Sequence, residues 1–169
     1  DMSAPEVAAF VNHHFSIVVG CIEVEGGTVD KFMGDAVMAF WGGRPDANDS
    51  SAQKACRAAC AISNAIQEDN KRRQGLGLPM VGIRIGIHTG MATVGNIGAP
   101  GRLNYTVIGD TVNVGQRLEQ LGKEIYSQGN EISILISGPT ARHLDSSFNP
   151  VAAGNHKLKG RAGEIEVFK

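Results

Sequence analysis

The run GGTVDKFMGDAVMAFWG, residues 26–42, decides the fold. Residues 28–33 and 36–41 are short stretches rich in apolar, aromatic and β-branched side chains, and Gly34-Asp35 separates them. Two such residues between two such stretches predict a tight antiparallel hairpin with Asp35 at its tip. Along the first strand Lys31 falls in step with Val29 and Met33, so the period of two places a lysine among apolar neighbours.

Upstream of the hairpin, Val7, Phe10, Val11, Ile17, Val18, Cys21 and Ile22 recur every three or four residues, which predicts one amphipathic helix. Ser3, Pro5 and Glu6 supply its start with capping-box spacing, and Gly26-Gly27 its stop. Downstream, residues 42–48 read as a loop. Ala52, Ala55, Ala59, Ile62 and Ile66 mark a second long helix from Ser51 to about Gly75. Residues 80–88 alternate as a half-buried strand, and 91–97 read as another. Residues 98–102 read as a Gly/Pro loop. Asp110 then caps a helix that carries Val114, Leu118, Leu121 and Ile125 on one face. A strand over 131–136, a short helix over 139–144 and a closing strand over 164–168 follow. The order α-β-β-α-β-β-α-β-α-β, with one strand added in front, gives an α+β class: a ferredoxin-like βαββαβ core with a C-terminal αβ extension. One domain over residues 1–169 is expected.

Hydrophobic residues make up 42% of the chain and its formal net charge is −1, so it has a core to bury and no global basic field for nucleic acid. Aromatics are 5%, too few for a base-stacking RNA-binding sheet. No window reads as a membrane span of ~18 apolar residues. The cysteines, Cys21, Cys56 and Cys60, are odd in number and lack framework spacing, which predicts a reducing, cytoplasmic setting. Cys56 and Cys60 read as buried thiols rather than zinc ligands.

Each polar candidate has a plain and a chemical reading. Asp35 is a turn residue, or a carboxylate held on a rigid turn for a hard cation such as Mg²⁺. Lys31 snorkels to water, or reaches a buried ligand acceptor. Asn113 and Arg117, four apart on one helix, form a solvated face, or aim two donors at one substrate. Lys157, Lys159 and Arg161 form a solvated strand end, or a triphosphate site. His13 and His14 read as structural or surface residues.

Four runs in order resemble class III adenylate cyclases: residues 26–42 their second and third strands, RIGIHTG (84–90) their next strand, NYTVIGDTVNVGQRLE (104–119) their signature helix, and LKGR (158–161) their phosphate-binding segment. The resemblance implies conversion of ATP to 3′,5′-cyclic AMP and pyrophosphate. Asp35 matches a metal-binding aspartate for Mg²⁺ or Mn²⁺. Lys31 and Thr106 match the adenine-reading pair, with Val107 beside them in the nucleotide site. Asn113 matches the ribose-orienting residue and Arg117 the transition-state arginine. Arg161 matches the triphosphate-binding lysine, with Lys159 as the alternative. Two ions about 3.5–4 Å apart would serve an in-line displacement of this kind. The resemblance further implies a homodimer that shares its sites, with no nucleic acid or membrane contact from this segment. The family's first strand carries the other metal aspartate. The sequence begins at Asp1-Met2-Ser3, past that motif, so that strand is expected to be missing here. A guanylate cyclase and a non-catalytic cyclase-like dimerisation module are the competing readings.

Overall fold

The computed structural model describes residues 2–42, 51–125, 131–160 and 163–169. The elements are α1 (Ala4–Val24), β1 (Thr28–Met33), β2 (Ala36–Phe40), α2 (Ser51–Gly75), β3 (Ile83–Ile87), β4 (Thr93–Ala99), β5 (Arg102–Ile108), α3 (Asp110–Ile125), β6 (Ile132–Ser137), α4 (Gly138–Ala141), β7 (Ala152–Lys157) and β8 (Glu164–Phe168). Arg161 and the loop residues 43–48 lie outside the described residues.

The helix starts follow the local chemistry. Ser3 donates from both its backbone N and its Oγ to Glu6 Oε2, at 2.7 and 2.6 Å, which closes the predicted capping arrangement of α1. Those bonds hold the Glu6 carboxyl below its ordinary pKa. The β1–β2 hairpin pairs Met33 with Ala36, so Gly34 and Asp35 form its two-residue turn. Gly34 takes φ +65° and Asp35 does not need a positive φ, the pattern of a turn with glycine at its first central position.

Two strands depart from the sequence reading. Residues 102–108 pair with β4 as β5, in register from Ala99↔Arg102 to Thr93↔Ile108. The Pro100-Gly101 pair is thus the tip of a hairpin and not part of a wider loop. β7 also went unread, because AAGNHK has little β propensity and its pairing with β8 shifts register between Ala152 and Gly154.

β3, β6, β8 and β7 form a mixed sheet in that order, with β3 and β6 parallel and the other pairs antiparallel. β1–β2 and β4–β5 are separate two-stranded sheets. Val114, Leu118 and Leu121 of α3 pack on Leu135, Leu158 and Val167 to form one core. Truncating the fully buried Leu118 or Leu135 to alanine should cost about 2–5 kcal/mol. A second core joins Val18 and Ile22 of α1 to Ile62 and Ile66 of α2, and it takes in Val37 and Ala39 of β2 together with Ile83 and Ile85 of β3. One pair of helices therefore covers two sheets that are not hydrogen-bonded to each other.

Two further expectations are corrected. Cys56 is buried, but Cys60 is exposed, because a step of four along α2 carries it off the packed stripe. The helix Ala4–Val24 does pass the test of length and composition for a membrane span, with a mean hydropathy of 1.5 over 18 residues. Alanine and glycine fill its gaps between larger apolar residues, and no Asp, Glu, Lys or Arg falls between Glu6 and Glu23. A helix that packs into a core passes the same test, and Val18 and Ile22 are packed in this way.

Candidate functional site

Lys31 and Thr106 are far apart in sequence and meet in space: Lys31 Nζ donates to Thr106 Oγ1 at 3.2 Å. Thr106 is buried on β5, and its hydroxyl donates to Asp30 Oδ2 at 2.7 Å. Lys31 Nζ lies 3.7 Å from the same carboxylate oxygen. Asp30 and Lys31 are adjacent, and in a regular strand they would point to opposite faces. They converge because β1 is irregular here. Val29 pairs with Ala39 and Lys31 with Met38, which leaves Asp30 as the extra residue of a bulge. The period-two placement of Lys31 on the Val29 face therefore fails: Val29 packs into the core while Lys31 is exposed. Val107, the neighbour of Thr106, is buried.

The second group of candidates lies on α3. Asn113 is exposed and Arg117 is half-buried, on the flank of the Val114/Leu118 stripe. The Arg117 guanidinium reaches the segment after β7: a Cβ built on Gly160 would lie 3.3 Å from Arg117 Nη2. Leu158 is buried in the α3 core, which turns its neighbours Lys157 and Lys159 outward. The structure thus brings Arg117 beside Gly160. The start of α3 is tied down by Thr111, whose hydroxyl donates to the Met91 carbonyl at 2.5 Å.

Asp35 stands exposed at the hairpin tip. Its charge is felt by His14 of α1, whose pKa burial lowers against the opposing pull of the Asp35 carboxylate. Among the described residues Asp35 forms no ion pair, so both its oxygens are available. A carboxylate of this kind fits Mg²⁺ or Mn²⁺, which are commonly held by one or two carboxylates plus substrate phosphates. The described residues contain no cluster of three or more His, Cys, Asp or Glu side chains that could hold an ion alone.

Sequence reasoning missed Asp30. The bulge that brings it to Thr106 depends on how β2 pairs with β1, which the sequence of β1 alone does not show. A polar chain at the C-terminal ends of β3 and β6 was missed as well. His88 Nδ1 lies 2.7 Å from Ser137 Oγ, which is 3.1 Å from Thr140 Oγ1, and Thr89 Oγ1 is 3.0 Å from that same oxygen.

The chain is 35% identical over 167 residues to adenylate cyclase 1 of Rhizobium meliloti (strain 1021), covering 99% of this chain and 24% of that protein. It is 31% identical to the adenylate cyclase of Anabaena cylindrica, covering 33% of it. The chain therefore spans between a quarter and a third of these relatives. Its fold superposes on the crystal structure of the adenylyl cyclase CyaB from P. aeruginosa with a TM-score of 0.85 at 30% identity, covering 99% of this chain and 83% of that one. The guanylyl cyclase Cya2 matches with a TM-score of 0.77, also at 30% identity, over 99% of this chain and 81% of the other. The profile of the adenylate and guanylate cyclase catalytic domain matches residues 1–169, and the chain belongs to that family.

Proposed function

We propose that this protein is an adenylate cyclase that makes 3′,5′-cyclic AMP for intracellular signalling, at sites shared between two copies of the chain. The observation that carries the reading is the Lys31–Thr106 hydrogen bond, because it joins the two residues that resemble the family's adenine-reading pair. A lysine donor and a threonine oxygen suit the acceptor ring nitrogen and the 6-amino group of adenine.

In the reaction the ribose 3′-oxygen bonds to the α-phosphorus while the bond from that phosphorus to the bridging oxygen breaks. Pyrophosphate leaves, and the hydroxyl proton passes to solvent. Asn113 orients the ribose, which acts through proximity. Arg117 offers a planar fork to charge that builds on the α-phosphoryl oxygens. Arg161, or Lys159 in its place, neutralises the triphosphate, and Val107 lines the nucleotide site beside Thr106. Asp35 would hold Mg²⁺ or Mn²⁺, and the bound ion would lower the charge on both the attacking and the leaving oxygen.

The shared-site arrangement is supported by surface chemistry. Phe32 and Met33 of β1 and Leu103, Tyr105 and Ile108 of β5 are exposed apolar side chains on the two strands that carry Lys31 and Thr106. A two-fold contact through these strands would cover some of them. A further strand between β2 and β3 would complete the βαββαβ core over the shared α1/α2 layer and bring a second carboxylate towards Asp35. The free thiols Cys21, Cys56 and Cys60 suit the reducing cytoplasm, where ATP is found.

The test is turnover of ATP and of GTP by the protein in its full natural length with Mg²⁺ or Mn²⁺. Cyclic AMP should dominate. A preference for GTP would shift the assignment to a guanylate cyclase, and no turnover of either would favour a non-catalytic dimerisation module.

A further inference from the structure

The Thr106 hydroxyl has one proton and two lone pairs. The proton goes to Asp30 Oδ2 at 2.7 Å, and one lone pair receives Lys31 Nζ at 3.2 Å. One lone pair remains, so towards a ligand Thr106 can only accept. The lock is firm because the Asp30 side chain is 1% exposed, which leaves no room for water to take the proton instead. A carboxylate cannot return a donor to the hydroxyl, since when ionised it accepts only. The β1 bulge serves this arrangement by turning two successive side chains onto one oxygen.

We infer that Asp30 is a specificity-determining residue that never touches the substrate. By holding the Thr106 proton it commits the site to purine nucleotides with an N–H donor at position 6 and turns away those with a carbonyl there. The inference rests on the cyclase reading and deepens it. A 6-amino group donates into the free lone pair of Thr106. A 6-oxo group brings lone pair against lone pair, and Thr106 cannot rotate to relieve it without abandoning a buried carboxylate.

Two measurements test this on the full-length protein. The first needs no substitution: competition or turnover with ATP, purine riboside triphosphate and inosine triphosphate. The second of these has no group at position 6 and the third has a carbonyl. The expected order is ATP best, purine riboside triphosphate next and inosine triphosphate worst, with each step about tenfold. Inosine triphosphate equal to or better than the unsubstituted purine would show a hydroxyl free to turn and would overturn the inference.

The second measurement is the ATP/GTP ratio of kcat/KM in Asp30→Ala, Thr106→Val and the double variant. Each single change should lower the ratio about tenfold, and the double variant should fall no further than Thr106→Val alone. Thr106→Ser, which keeps the hydroxyl, should restore the wild-type ratio. A merely structural Asp30 would depress both nucleotides together and leave the ratio unchanged, and that result also overturns the inference. Wild-type protein that turns over neither ATP nor GTP would remove the cyclase reading, and the inference with it. Cyclic AMP production with the wrong analogue order would remove the inference alone.

Discussion

A Cβ atom placed on Gly86 of β3 would lie 2.3 Å from the carbonyl oxygen of Gly115 on α3 and 2.4 Å from the Glu119 backbone nitrogen. Helix and strand therefore meet backbone to backbone, over the turn of α3 from Gly115 to Glu119 that includes Arg117. The Arg84–Glu119 ion pair, at 2.7 Å, flanks the contact. Gly86→Ala must push α3 away from the sheet. The expected cost is about 1–3 kcal/mol of stability, with a fall in kcat because both α3 candidates move. Gly115→Ala is the control. Its Cβ would lie 3.9 Å from the Gly86 carbonyl, an ordinary contact, and alanine favours the helix. Urea unfolding of the two variants decides it, and equal losses would show that this contact does not set the position of α3.

Arg117 and Asp35 sit on different elements, α3 and the β1–β2 turn. In a shared-site dimer each site takes one of them from each copy. Arg117→Ala should lower kcat about 10²–10³-fold, and Asp35→Ala should abolish turnover. Mixing the two inactive full-length variants should restore up to a quarter of wild-type activity, because a mixed dimer keeps one intact site. A mixture no more active than its components would refute the sharing.

Removal of divalent ions should stop turnover, and Mg²⁺ or Mn²⁺ should restore it. Asp35→Asn removes the negative charge at the hairpin tip and leaves one neutral oxygen donor. It should therefore raise the ion concentration needed for half-maximal activity more than it changes the KM for ATP at saturating metal. If the variant responds to metal as wild type does, Asp35 is only a turn residue.

The regular elements were legible because their periods were clean. The β1–β2 hairpin, α2 and α3 all fall where the apolar pattern put them, and β8 spans the predicted residues. β5 was lost because Pro100-Gly101 reads as a loop in a single strand of text, while its meaning as a hairpin tip requires the partner β4. The site followed the same rule. Lys31 and Thr106 could be singled out, but their contact needs a bulge at Asp30, and a bulge belongs to a pair of strands rather than to one. The Arg117–Gly160 approach depends on how α3 packs on the β7–β8 side, which no local pattern encodes. The hydropathy of α1 was misjudged by counting large apolar residues and neglecting the small uncharged ones between them.

The thiols should separate by reactivity. Cys60 is exposed, whereas burial pushes the Cys56 thiol up to about 12, with the neighbouring Cys60 adding to the shift. At pH 8 only about one Cys56 in 10⁴ would be thiolate. A thiol reagent should modify Cys60 rapidly, Cys21 slowly, and Cys56 only after unfolding. Cys60→Ser should delete the fast phase. A fast phase that appears only after a chelator is added would instead point to a metal held by Cys56 and Cys60.

Asp69 of α2 ties the two long helices together. Its Oδ1 lies 3.0 Å from His13 Nε2 on α1 and receives Arg72 Nη2 at 2.8 Å. Burial alone would raise its pKa, but the hydrogen bonds and charges of His13 and Arg72 outweigh burial and hold it below the ordinary carboxylate value. A carboxyl whose pKa is lower folded than unfolded gives its full stabilisation above the unfolded value of about 3.9 and loses it as pH falls through the folded value. Asp69→Asn should therefore be less stable than wild type by about 1 kcal/mol at neutral pH, the scale of a solvent-screened pair. The gap should begin to narrow as the pH falls below the unfolded value and close only below the folded one. Urea midpoints of both proteins across that range measure it. A gap that stays constant with pH would mean that Asp69 acts through shape or packing rather than charge.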